Sequence, residues 1–250
     1  MLFLSYQDWI ADYMATSDDV KNVRIFYATK NGRRVVEKYL FTAEKYHPNI
    51  VSEVRGLADG SCQSFIDIFL LQIVSEITFC HINNLHDNRE GAAAPTQPET
   101  GKGCTDILVN NSTCRVIGHN DDWTDDVTSH VCIVHVTIEG VDVMERFMSY
   151  VYPGYIAGFC FGMNKELVIT LNSLSPKEAN ESGVPLLIVL RSLLSSASID
   201  ECITRLESKP VGCAYGMNIN IAAINSNDMC SVEVYTEKVQ VSKHIVILKL

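Results

Sequence analysis

Gly101-Lys102-Gly103-Cys104-Thr105-Asp106, followed by Gly118-His119-Asn120-Asp121-Asp122-Trp123, is the stretch on which the reading of this chain turns. Residues 81–103 run through His81, Asn83, Asn84, His86, Asp87 and Asn88, then Gly91, Pro95, Pro98, Gly101 and Gly103. No helix or strand period survives there, because glycine and proline at that density interrupt both. After Cys104 the pattern turns to β: Ile107, Leu108 and Val109 lead into Asn110-Asn111-Ser112, then Val116 and Ile117. A small nucleophilic thiol stands where an exposed loop enters a strand.

A cysteine at a chain start carries its own base. A free α-amino group titrates at about 7.7–8.0, so much of it is unprotonated near neutrality. It can take the thiol proton as sulfur attacks a carbonyl, and an amino-terminal threonine works by the same logic. Making such a terminus in mid-chain requires the Gly103–Cys104 peptide to break. Glycine offers no side chain to obstruct attack by the Cys104 thiol on the Gly103 carbonyl. The competing reading is a small, inert thiol buried at a strand edge.

A chain of 250 residues suits one domain or two small ones, and at 47% hydrophobic it can bury a core. Thirty carboxylates stand against twenty basic side chains. That balance argues against nucleic acid, whose affinity comes from lysine and arginine at phosphates. Nine cysteines without Cys-x-x-Cys spacing suggest neither a disulfide framework nor a zinc ribbon, and fit a reducing compartment. The start, Met1-Leu2-Phe3-Leu4-Ser5-Tyr6-Gln7-Asp8, loses its apolar character too soon for a signal peptide. The run from Phe65 to Phe79 is broken by Asp67, Gln72, Ser75 and Glu76, so it reads as a core helix and not as a membrane span. The expectation is a cytoplasmic protein with no membrane or nucleic-acid partner.

Along the chain, residues 1–50 admit two readings. Asp8–Met14 suits a short amphipathic helix, while Val23–Thr29 and Arg34–Phe41 alternate weakly around Asn31-Gly32, a hairpin signal. Ser61 to Cys80 reads as a helix, with Ser64 and Asp67 as a capping box. Val131–Ile138 and Leu167–Leu171 read as strands. Pro185 opens an apolar helix, and Ser198 with Glu201 caps another. Ile219–Ile224 and Ser231–Tyr235 read as strands joined at 225–228, and His244–Leu250 as a last strand. A strand block, a helix pair and a second strand block fit a layered α+β sandwich.

Gly103-Cys104-Thr105 with Gly118-His119-Asn120-Asp121-Asp122-Trp123 resembles the acyl-CoA:6-aminopenicillanic acid acyltransferase family of N-terminal-nucleophile (Ntn) hydrolases. Three further blocks agree in order. They are Val54-Arg55-Gly56-Leu57-Ala58-Asp59-Gly60; Tyr152-Pro153-Gly154 through Gly162-Met163-Asn164 to Asn172; and Gly183-Val184-Pro185 through Arg191 to Asn220 and Met229-Cys230. Within the family the likeness is greatest to the branch that hydrolyses β-alanyl amines. The resemblance implies a four-layer αββα sandwich, cut at Gly103–Cys104 into an N-terminal segment 1–103 and a catalytic segment 104–250. The partners it implies are a small-molecule amide substrate and the chain's own N-terminal fragment; it implies no cofactor and no metal. Acyl transfer from a thioester donor is the mechanistic alternative, and an uncleaved, non-catalytic relic is the alternative of another class.

By the same resemblance Cys104 is the nucleophile and Asp122 the carboxylate that tunes its amino group. Asp122 also reads as one of a solvated cluster with Asp121, Asp125 and Asp126, which lacks the glycine and spacing of a calcium loop. Asn172 falls where related enzymes place an oxyanion-stabilising amide, and otherwise reads as a strand-end turn residue. Asn220 aligns with another family asparagine, although a two-residue slip selects Asn218. His119 replaces an arginine of the wider superfamily, and a lone histidine beside a strand reads as structural. Arg191 reads as a core-edge arginine with its head in solvent. Two departures stand out: Glu166-Leu167 replaces a glycine-leucine, and the family continues with further strands beyond Leu250, so on this reading the chain is truncated.

Overall fold

The computed structural model describes residues 6–78, 81, 103–122, 130–140, 144–174, 176, 178–236 and 238–242. The N-terminal part is helical: α1 (Tyr6–Thr16), α2 (Asp18–Ala28), α3 (Lys30–Tyr46) and α4 (Pro48–Ser61). No hairpin forms around Asn31-Gly32. Buried Val20, Val23 and Phe26 on α2, and Val35, Val36, Tyr39 and Ala43 on α3, follow helical spacing instead. Thr29 caps α3, its Oγ1 accepting from the Gly32 N–H at 2.9 Å. A Cβ on Gly32 would lie 1.9 Å from the Phe26 carbonyl oxygen. The glycine lets two helix ends meet and makes no β-turn.

The helix expected from Ser61 to Cys80 is divided. Cys62, left-handed at φ 56°, ends α4. Ser64 then opens α5 (Phe65–Gln72), its Oγ accepting from the Asp67 N–H at 3.1 Å and donating to Asp67 Oδ2 at 2.7 Å. A short α6 (Val74–Ile77) follows a break at Ile73. None of these helices is long and apolar enough to cross a membrane.

Residues 103–122 form a two-stranded ribbon, β1 (Gly103–Asn110) and β2 (Arg115–Asp122). A seven-stranded antiparallel sheet follows in chain order: β3 (Cys132–Glu139), β4 (Met144–Val151), β5 (Phe161–Asn164), β6 (Leu167–Ser173), β7 (Met217–Ala223), β8 (Met229–Tyr235) and β9 (Lys238–Ser242). The strand expected at 244–250 lies outside the described residues. Between β6 and β7 come α7 (Leu186–Leu193), buried along its whole length, and α8 (Ile199–Glu207). Ser198 caps α8, while the Glu201 carboxylate accepts from the Ala197 N–H at 2.8 Å, one residue earlier than a capping box requires.

Strand alternation gives the sheet two unlike faces. Gly162, Ile169 and Ile221 share one face by register; a Cβ on Gly162 would meet Leu194 at 2.4 Å, so this face carries the helices. Thr170 and Asn220 pair on the opposite face, where the ribbon lies. The described residues therefore stack as helices, sheet and ribbon, an α+β arrangement with antiparallel pairing throughout its sheets. The ribbon's other face leaves Thr105, Ile107, Val116, Asn120 and Asp122 exposed.

Arg191 departs from the expectation of a solvated head. It is 1% exposed. Its guanidinium forks onto both oxygens of Glu53 at 2.8 Å, reaches Glu145 at 3.3 Å, and sits 4.2 Å from the centre of the Phe147 ring. This ties α4, α7 and β4 together.

Candidate active site

The ribbon's turn sets the site. Asn111 Oδ1 accepts at 2.8 Å from the Thr113 N–H, the Cys114 N–H and the Thr113 hydroxyl, which fixes Asn110 opposite Arg115. Register then places Cys104 opposite Asp121 and Asp106 opposite His119. All four alternate onto the face toward the sheet. The turn end is pinned by Asn110 Nδ2 to the Asn227 carbonyl and by Arg115 to the Ile224 carbonyl, each at 2.8 Å.

At the other end the Cys104 thiol donates to Asp121 Oδ1 at 3.3 Å. Cys160, buried just before β5, donates to the second oxygen of Asp121 at 3.4 Å. Burial first, and the Asp121 charge second, push the Cys104 thiol up to about 12. The same causes raise Cys160. The Cys104 sulfur therefore keeps its proton near neutrality.

Beside the thiol lies a chain of polar contacts. His119 Nδ1 faces Asp106 Oδ1, with the two side chains 12% and 3% exposed. Asp106 Oδ2 accepts from the Thr170 hydroxyl at 2.6 Å and from Asn220 Nδ2. Asn220 Nδ2 also donates to Asn172 Oδ1 at 2.9 Å. Burial pushes the Asp106 carboxyl up, but the bonds from His119, Thr170 and Asn220 outweigh it and hold the group below the usual carboxylate range. Among the described residues, the remaining His119 nitrogen, Nε2, is buried without a hydrogen-bond partner. The Cys104 sulfur, a ring nitrogen of His119 and a carboxylate oxygen of Asp121 lie within 4.8 Å of one another. Thiolate, imidazole and carboxylate are also the ligand types that zinc takes, so these three could hold a metal.

Of the residues singled out in the sequence, Cys104, His119, Asn172 and Asn220 gather here. Asn218 does not join them; it bonds Ser231 Oγ at 2.8 Å. Asp122 points the other way. It is opposite Gly103, exposed on the ribbon's outer face, and accepts from Asn120 Nδ2 at 2.9 Å. One residue along a strand reverses the face, so the carboxylate beside the thiol is that of Asp121. Among the described residues, nothing within 4 Å would meet a Cβ on Gly103. The loop expected before it lies outside the described residues apart from His81 and Gly103. Sequence reading missed Asp106, Asp121, Thr170 and Cys160. The signal for the two aspartates was present: each stands two residues from a residue already singled out, Cys104 or His119.

Residues 109–246, more than half of the chain, match the model of a family described as acyl-coenzyme A:6-aminopenicillanic acid acyl-transferase. The match begins within β1, beyond Cys104. A β-alanyl-dopamine/carcinine hydrolase of Drosophila melanogaster is 26% identical over 216 residues, which cover 82% of this chain and 52% of the fly protein. The chain thus spans about half the length of that relative.

Proposed function

Because this chain belongs to the acyl-coenzyme A:6-aminopenicillanic acid acyl-transferase family, we propose that it is a self-processing amide hydrolase with Cys104 as its nucleophile. One observation carries the reading. The Cys104 thiol stands at the start of β1, directly after a glycine that no described residue obstructs, and is bonded to Asp121. The fold proposed with it is the four-layer αββα sandwich, in which helices, sheet and ribbon are three successive layers.

Cutting Gly103–Cys104 leaves pieces 1–103 and 104–250. Bonds that cross the cut favour their staying together, among them Arg191 to Glu53 and the Leu186 N–H to Glu76 Oε1 at 2.7 Å. The new α-amino group, of pKa about 7.7–8.0, takes the thiol proton as sulfur attacks the substrate carbonyl. The Asp121 carboxylate, opposite Cys104, holds the resulting ammonium. Asn172 has its Oδ1 engaged by Asn220, so its Nδ2 is the end left to donate to the oxyanion. Such a donor contributes roughly 3–4 kcal/mol to lowering a barrier. Water then releases the acyl group from sulfur.

The proposed substrates are small N-β-alanyl amides of biogenic amines, by likeness to the fly hydrolase. A formal charge of -10 favours cationic amines over anionic ones. The family's own description favours a second reading: the same acyl-enzyme delivers its acyl group to an amine. An acyl-CoA and an amine supplied together separate the two, because the transferase reading requires the N-acyl amine to form from them.

Intact-mass measurement on the expressed full chain tests the proposal. The expected result is two pieces meeting at Gly103/Cys104, a single uncut Cys104→Ala variant, and amine release from a β-alanyl amide by the cut protein alone. A wild-type chain that stays whole and releases no amine overturns it.

A further inference from the structure

We infer that His119, oriented by Asp106, is the general base for the self-cleavage step, the one step that the α-amino group cannot serve. The inference rests on the self-processing reading above. Until Gly103–Cys104 breaks, the Cys104 nitrogen is an amide, with no basic lone pair. Meanwhile the thiol holds its proton, since burial and Asp121 both oppose ionisation. Something other than the chain's own terminus must take that proton.

Two side-chain types lie within 4.8 Å of the sulfur, a carboxylate from Asp121, which accepts the thiol hydrogen bond, and an imidazole from His119. Imidazole is ordinarily the stronger base by roughly two to three pH units, so proton transfer to it is less uphill. The surroundings of His119 suit the task. Its Nδ1 is committed to Asp106, which fixes the ring and leaves the lone pair on Nε2. Nε2 is the buried atom without a partner. Asp106 is itself held by Thr170 from β6 and Asn220 from β7, so it stays ionised and cannot swing away. Thiol, imidazole and buried carboxylate stand in the order of a hydrolase triad.

The step balances as follows. The Cys104 thiol gives its proton to His119 Nε2, and sulfur bonds to the Gly103 carbonyl carbon. The C–N bond between Gly103 and Cys104 breaks, and the imidazolium returns the proton to the departing nitrogen. The product is a thioester of Gly103 on the Cys104 sulfur, next to a free α-amine. Water hydrolyses the thioester, which leaves a Gly103 carboxylate and restores the thiol.

The test follows self-cleavage of the full chain by intact mass. His119→Gln should slow it by about 10²–10⁴-fold, the usual worth of a general base. His119→Ala should regain cleavage when millimolar imidazole is added, which a purely structural role would not produce, and a thermal melt of each variant reports folding. Asp106→Asn, at a positioning residue, should slow cleavage, and the conservative Asp106→Glu should restore part of the rate. Cleavage of His119→Gln at the wild-type rate overturns the inference. So does a folded His119→Ala that imidazole does not rescue, or wild-type cleavage abolished by EDTA, which assigns the cluster to a metal. A chain carrying a factor Xa site immediately before Cys104 separates the two proposals. If the protease-exposed terminus hydrolyses no amide while wild-type self-cleavage still depends on His119, the hydrolase reading falls and this inference stands.

Discussion

Cys104 and Asp121 are directly opposed across the β1–β2 ribbon, and the thiol donates to Oδ1 at 3.3 Å. A negative charge at that distance opposes formation of a second one. Asp121→Asn should therefore lower the Cys104 titration from about 12 toward, but not down to, the ordinary thiol range, because burial persists. Alkylation followed against pH and assigned by peptide mass reads this directly. Mapping is needed because Cys62 and Cys114 are exposed and react as well. An unmoved midpoint would mean that burial alone sets it.

Asp122 provides the companion measurement. Its carboxylate faces outward and bonds Asn120. Asp122→Asn should leave the Cys104 titration where it is, while Asp121→Asn slows amide hydrolysis about tenfold or more. Loss of one charge-assisted hydrogen bond, roughly 1.5 kcal/mol or more, sets that scale. If Asp122→Asn slowed hydrolysis more than Asp121→Asn, the role would return to the residue that the family alignment indicates.

The contrast between these neighbours shows what sequence can and cannot reveal. Sheet strands such as Leu167–Ser173 and Met229–Tyr235 announce themselves because their apolar residues alternate against a helical layer. The caps at Ser64 and Ser198 are equally legible, since a hydroxyl three residues before a carboxylate has a local meaning. Gly32 misleads because its reason is tertiary: it admits the Phe26 carbonyl, which no local pattern records. The site is half legible. Cys104, Asn172 and Asn220 follow from motif position. Asp106 shares the face of Cys104 by strand alternation, whereas the pairing of Cys104 with Asp121 follows only once the turn at Asn111 fixes register, because a single step along β2 exchanges Asp121 for Asp122. Thr170 comes from β6 and Cys160 from the segment just before β5, and nothing in their local pattern singles them out.

Arg191 yields a prediction of unequal costs. Its head is buried, whereas Glu53 and Glu145 keep 33% and 27% of their side chains exposed. Arg191→Met keeps most of the packing on Phe147 and releases two carboxylates that water can reach. Glu53→Ala instead leaves a cation in the interior with the longer ion pair to Glu145, a hydrogen bond to Ser195 Oγ at 3.2 Å and the Phe147 ring. Stranding a buried charge costs about 3–5 kcal/mol, whereas replacing an ion pair by an apolar group is often near neutral. Urea midpoints should fall further for Glu53→Ala, toward about 3 kcal/mol, than for Arg191→Met. The reverse order would show that the arginine's contacts to Phe147 and Ser195 outweigh its charge.

Glu76 makes stability depend on pH. Its side chain is fully buried, Oε1 accepts from the Leu186 N–H at 2.7 Å where α7 begins, and burial raises the carboxyl from 4.5 to about 7. Below pH 4.5 the group is protonated whether the chain is folded or not, and its contribution is fully present. Between 4.5 and about 7 the unfolded chain releases the proton that the folded chain keeps, so folding weakens as pH rises. Above that window the loss amounts to roughly 3 kcal/mol. Glu76→Gln keeps an acceptor for Leu186 and carries no charge at any pH. Its stability relative to wild type should therefore improve between about pH 5 and pH 8, as read by urea unfolding at each. A constant difference across that range would mean that the buried carboxyl meets a compensating positive partner when it ionises.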